Sequence, residues 1–220
     1  MNILRNTPPI VRNLIIINAV LLLATTLTGD FFYKYLSLFY FESPFFKPYQ
    51  ILTHMFMHGG FFHLFFNMYT LFIFGSVLEN IWGSKKFFVY YLVTGIGAAI
   101  IHNLVQCIQA HGLETQIANG IAGASRELQI LMSTPTVGAS GAIYGLLLAY
   151  AMMFPNNELR LLFPPIALKA KWFVLIFGAI ELTLGISNTG GNIAHFAHLG
   201  GMIFGIILIL YWKKQNRLYY

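Results

Sequence analysis

Cysteine and acidic residues are scarce in this chain. Cys107 is the only cysteine among 220 residues, which excludes an intrachain disulfide. Asp and Glu number seven against 13 Lys and Arg, and charged residues make up only 9% of the chain. That is too little charge to coat a soluble globule of this size. No histidine is followed by glutamate, so the HExxH zinc-protease motif is absent. Internal repeats and low-complexity tracts are missing too, including the inverted repeat with paired broken helices that marks many transporters.

What is present is apolar length. Hydrophobic residues reach 57% and the mean hydropathy is +0.68, more than a soluble core can hide. The composition predicts an all-α polytopic membrane protein. Runs near the spanning length of about 20 residues fall at 11–27, 63–79, 87–108, 140–154, 172–186 and 194–212, giving six helices in one domain over residues 1–220. The first run is too long for a signal-peptide core and lacks a small-residue cleavage site, so it reads as a true span.

Basic residues set the orientation. Arg5, Arg12, Lys85, Lys86, Arg160, Lys169, Lys171, Lys213, Lys214 and Arg217 fall on one side of this topology, and Lys34, Lys47 and Arg126 on the other. The positive-inside rule then places both termini in the cytoplasm, and the compact form without a transit peptide suggests the cell membrane of a prokaryote. The net charge of +6 is thus a topology signal, and Lys213-Lys214 suits anionic membrane lipid rather than nucleic acid. On the far side, residues 28–60 are rich in aromatics and suit the headgroup region, whereas the polar, Gly/Ser-rich stretch 109–137 reads as an exposed loop.

The chemistry-bearing residues sit at one depth. At 1.5 Å per residue, Ser140 lies about 21 Å above Phe154, and His198 about 21 Å above the interfacial Trp212. Asn67 stands at a similar height above Trp82, with His63 one turn higher. Gly141 and Gly145 form a GxxxG face on one of these helices, Gly201 and Gly205 on another, and small residues at that spacing let backbones approach closely. Ser140 and His198 are therefore expected to meet. A serine hydroxyl needs an imidazole to take its proton, and the resulting oxyanion needs donors. His63, Asn67 and the Ser140 amide at a helix start can supply them, while Tyr144, one turn from Ser140, can support the imidazole by packing. The only carboxylate well inside a span is Glu181, so the simplest arrangement is a Ser–His dyad with no acidic orienter.

Taken together, Gly138-Ala139-Ser140-Gly141, Ala197-His198 with Gly201 and Gly205, and His63 with Asn67 resemble the GxSG, AHxxGxxxG and HxxxN motifs of the rhomboid family of intramembrane serine proteases. His58 and the pair Gly75 and Glu79 extend the likeness, which covers about residues 1–215. The resemblance implies a six-helix rhomboid-like bundle without an extra span or appended soluble domain. It also implies Ser140 as nucleophile, His198 as base, His63, Asn67 and the Ser140 amide as oxyanion donors, and Tyr144 stacked on His198. It implies single-pass membrane proteins as substrates, and with the HExxH motif absent no cofactor or metal is expected. It leaves the oligomeric state undefined. Many members carry Trp-Arg in the first loop where Tyr49-Gln50 stands here, which leaves Glu79 without an arginine partner and the anchoring of that loop in question.

Other readings stay open. Isolated His63 or Asn67 is also what an interhelical hydrogen bond requires, and Gly123-Ala124-Ser125 is a decoy of the serine motif without its second glycine. His54 with His58, or His195 with His198, have metal-ligand spacing, although lining a polar cavity is the preferred role for His54 and His195. Glu181 reads as a hydrogen-bonded structural group, or as a regulator if its helix moves to admit substrate. At the level of function, a proteolytically inactive rhomboid-like adaptor that binds membrane helices, or a small transporter, remains an alternative.

Overall fold

A computed structural model describes residues 6–29, 31–160, 166–187 and 192–215; two of the basic residues used for orientation, Arg5 and Arg217, lie outside them. Each expected apolar run falls on a helix. These are α1 (Pro9–Thr28), α4 (Phe61–Trp82), α5 (Ser84–Ala118), α7 (Ser140–Met153), α8 (Ala170–Ile186) and α9 (Asn192–Lys214), with short helices α2 (Phe31–Leu36), α3 (Gln50–Thr53) and α6 (Ala124–Ser133) between them. A two-stranded antiparallel pair, β1 (Glu158–Arg160) and β2 (Ala167–Lys169), precedes α8. The helices α1, α4, α5 and α9 are long and apolar enough to cross a bilayer. By comparison α7 and α8 are shorter, at 14 and 17 residues, or about 21 and 25 Å.

Glycine explains how α5, α7 and α9 assemble. A Cβ at Gly201 of α9 would overlap the carbonyl of Gly141 on α7, and one at Gly141 would overlap the Ala98 methyl of α5. Gly145 abuts Thr94, and its carbonyl accepts the Tyr90 hydroxyl at 2.8 Å. The backbones of α7 and α9 therefore meet with no side chain between them, and α5 closes on α7 across only the Ala98 methyl and the small Thr94 side chain, as expected where lipid offers no hydrophobic drive and packing must hold the helices. The short α7 is wrapped by its neighbours, with Ala142, Ile143, Leu146 and Ala149 all buried.

Beyond that core the structure corrects the expected polar loop. The fall in hydropathy after residue 108 ends the apolar run but not the helix. Gln, Glu and Leu sustain helical backbone well, and α5 runs on to Ala118. Its extension packs against α6 through Ala110 and Leu131, with Tyr40 of the first loop joining the cluster. The decoy Gly123 has φ +90° and merely starts α6. The two far-side loops are tied together: Leu38 bridges Thr136, the Ser43 hydroxyl donates to the Met132 carbonyl at 2.6 Å, and the Gly138 amide donates to the His54 carbonyl at 3.0 Å.

The question raised by Tyr49-Gln50 is answered locally. Gln50 is fully buried; its Oε1 accepts the Lys47 amide, and its Nε2 donates to the carbonyls of Tyr35 and Phe45, so the first loop is anchored without arginine. Glu79 lies near the other end of α4, about 27 Å from its start. There it accepts the Ile10 and Val11 amides at 2.9 and 2.8 Å and the Ser84 hydroxyl at 2.7 Å. A carboxylate on the first free amides of α1 satisfies donors the helix cannot and complements its dipole. Glu79→Ala, stripping a group only 2% exposed, is expected to destabilise the protein by about 3 kcal/mol. A drop in the thermal midpoint in detergent checks it, and an unchanged midpoint would show that water replaces the cap.

Candidate active site

The site is built around a turn that only glycine permits. Gly138 has φ +129°, a left-handed conformation that costs other residues energy. A Cβ there would also stand 2.9 Å from the His63 ring. The turn delivers Ser140 to the first position of α7, where its amide is among those that a helix leaves without an intrahelical acceptor.

Helices α7 and α9, locked at Gly141 and Gly201, carry the central pair. His198 Nε2 and Ser140 Oγ are 2.9 Å apart, so residues 58 positions apart in the chain are brought into hydrogen-bond contact. The Tyr144 ring lies flat on the His198 imidazole, with centroids 4.2 Å apart and planes within 6°. Gly205 packs under the Tyr90 hydroxyl, extending the same close seam. Ser140 and His198 are both partly exposed, leaving the hydroxyl reachable.

On the opposite side of Gly138 stands His63 of α4. Its Nδ1 accepts the Gly59 amide at 3.3 Å, which assigns the ring proton of the neutral form to Nε2. That edge and Ser140 Oγ border the same point above Gly138, 2.9 and 3.6 Å from where a Cβ would be. The N–H thus faces the space beside the serine. Asn67 is buried one turn below, and its Nδ2 donates to the His63 carbonyl at 2.8 Å, steadying that helix end. His58 packs against His63, with centroids 5.0 Å apart. Burial pushes both His54 and His58 down to about 4, with His63 adding to the effect on His58, so these first-loop imidazoles are neutral at ordinary pH. The His54 ring bonds the Gln50 carbonyl, while its own carbonyl holds the serine turn.

Sequence reasoning missed the company that Glu181 keeps. It is 6% exposed; Tyr144 donates its hydroxyl to Oε1, and His195 Nδ1 lies 2.6 Å from Oε2. Oε2 also lies 3.0 Å from His198 Nδ1, a charge contact that is not aligned as a hydrogen bond. The signal available was the i, i+3 pair His195 and His198, which faces the sole carboxylate well inside a span. Donor atoms of Glu181, His195 and His198 lie within 4.8 Å of one another, a spacing that admits a metal ion. Yet two ligands about 2 Å from a tetrahedral zinc would be roughly 3.3 Å apart, and His195 and Glu181 are at hydrogen-bond distance instead.

Residues 46–215, which hold all of these side chains, match the family model described as the Rhomboid domain. The chain belongs to the rhomboid family. It is 31% identical over 179 residues to the mouse (Mus musculus) presenilin-associated rhomboid-like protein, mitochondrial, a match covering 76% of this chain and 40% of that protein. It is 27% identical over 172 residues to rhomboid-like protein 11, chloroplastic, of Arabidopsis thaliana, covering 76% and 53%. To rhomboid protein 1, mitochondrial, of Saccharomyces cerevisiae it is 25% identical over 165 residues, covering 75% and 42%. The rhomboid chain described here thus spans about half or less of the length of these relatives. They also correct the expectation of a cell membrane with cytoplasmic termini, because relatives that are mitochondrial or chloroplastic by name point to organelles instead. The positive-inside bias reads the side a loop takes and carries no information about which membrane holds it.

Proposed function

We propose that this rhomboid is an intramembrane serine endopeptidase, folded as a single six-crossing domain, that cuts single-pass membrane proteins in or near their spanning helix. The family consists in general of intramembrane serine proteases, and the observation that carries the reading to this chain is the 2.9 Å contact between Ser140 Oγ and His198 Nε2. Ser140 Oγ attacks the scissile carbonyl carbon while its proton passes to His198 Nε2. The oxyanion is met by the Ser140 amide, the His63 Nε2–H and the Asn67 side-chain amide, whose other N–H holds the His63 carbonyl. The tetrahedral intermediate collapses as His198 returns the proton to the leaving amine, and an acyl ester stays on Ser140. Water, activated by the same imidazole, hydrolyses the ester and frees the new carboxyl end.

A fluorophosphonate probe tests this without a known substrate. Wild-type protein is expected to form an adduct on Ser140, mapped by mass spectrometry, and His198→Ala is expected to form none. A folded wild-type chain that stays unlabelled, beside a known rhomboid that labels, would move the assignment to an adaptor or transporter.

A further inference from the structure

Beyond the dyad, and resting on the serine-protease reading above, we infer that Glu181 is a positioning residue that completes a Ser140–His198–Glu181 triad spanning α7, α9 and α8. The imidazole is bracketed, with the hydroxyl 2.9 Å from Nε2 and the carboxylate 3.0 Å from Nδ1. Proton accounting gives that bracket a direction. If Ser140 donates to Nε2, the neutral ring carries its proton on Nδ1, and the acceptor beside it is Glu181 Oε2. When Nε2 takes the serine proton, the imidazolium forms next to a fixed negative charge. No proton need pass to Glu181, whose part is to hold the ring and balance its charge.

The carboxylate is itself held. A buried charge is costly unless it is paired and hydrogen-bonded, and this one has the Tyr144 hydroxyl on Oε1 and His195 Nδ1 on Oε2. Tyr144 therefore serves the ring twice, by stacking on its face and by fixing the group at its edge. His195 fixes the same oxygen, so Oε2 is aimed between two imidazoles and a small tilt of the charged His198 ring would align its N–H. The titratable groups that face this cluster are Tyr144 from α7, His195 and His198 from α9, and His63 from α4 across Gly138. A purely structural role for Glu181 would need the Tyr144 and His195 bonds but not the approach to His198.

The test is the rate at which a fluorophosphonate labels Ser140 in the full chain in detergent, followed against probe concentration and pH and expressed per labelled site. For Glu181→Gln the saturating rate is expected to fall at least about tenfold with half-saturation changed less than about twofold. The acid limb of its rate–pH profile should move to lower pH, because the imidazolium has lost its counter-charge. Glu181→Asp, which keeps the charge, should restore the limb and part of the rate. An unchanged rate and profile in Glu181→Gln would overturn the triad. So would a loss that tracks the thermal midpoint and is not recovered by Glu181→Asp, since that is the mark of a packing role. Failure of wild-type Ser140 to label at all would instead refute the serine-protease reading.

Discussion

Ser140→Ala is expected to lower cleavage of a tagged single-pass substrate, co-reconstituted in liposomes, by at least about 10⁴-fold while leaving the thermal midpoint unchanged. The size follows from the role, because deleting a nucleophile removes the covalent path and leaves only what binding and the oxyanion donors contribute. The stability forecast follows from the surroundings. The hydroxyl's hydrogen bond runs to His198, and the helix start is shaped by Gly138 and the buried Ala139 rather than by the serine side chain. Product release measured by gel or fluorescence, with residual turnover near the wild-type rate, would remove Ser140 from the mechanism.

Gly201→Ala is expected to be damaging by a different route. The added methyl falls on the Gly141 carbonyl, which is backbone and cannot rotate away, so α9 and α7 must part. Overpacking of a well-filled core costs about 1–3 kcal/mol, and that cost should appear as a lower thermal midpoint. A kinetic cost adds to it, because the parted helices carry His198 and Ser140, and a displacement of about 1 Å can lose about 10²-fold in rate. Gly178→Ala is the matched control. Its added methyl meets the flexible end of Met202 at 3.3 Å, so midpoint and rate should stay close to wild type. Equal behaviour of the two variants would mean that the seam between α7 and α9 yields more easily than its geometry implies.

Depth was readable from the chain and lateral register was not. Counting 1.5 Å per residue from Trp212 and Phe154 puts His198 and Ser140 on one level, and the glycine faces indicate that their helices touch. Nothing in such counting says how α8 is rotated, and Glu181 reaches His198 only because of that rotation, so the orienter was absent from the sequence picture. Hydropathy likewise reports where lipid ends rather than where helix ends, which is why the extension of α5 read as a loop. The π-turn at Leu71–Gly75 inside α4 leaves no hydropathy signal. It falls where Gly75 lets Val11 and Phe87 close in.

The bridge between Leu38 and Thr136, together with the bond from the Gly138 amide to the His54 carbonyl, makes the first loop and the serine turn one mechanical piece. A load on residues 38–54 is delivered through backbone hydrogen bonds to a point two residues before the nucleophile. The aromatic loop is therefore a lever whose short arm carries Ser140, and it cannot swing far as a door without dragging the hydroxyl off its base.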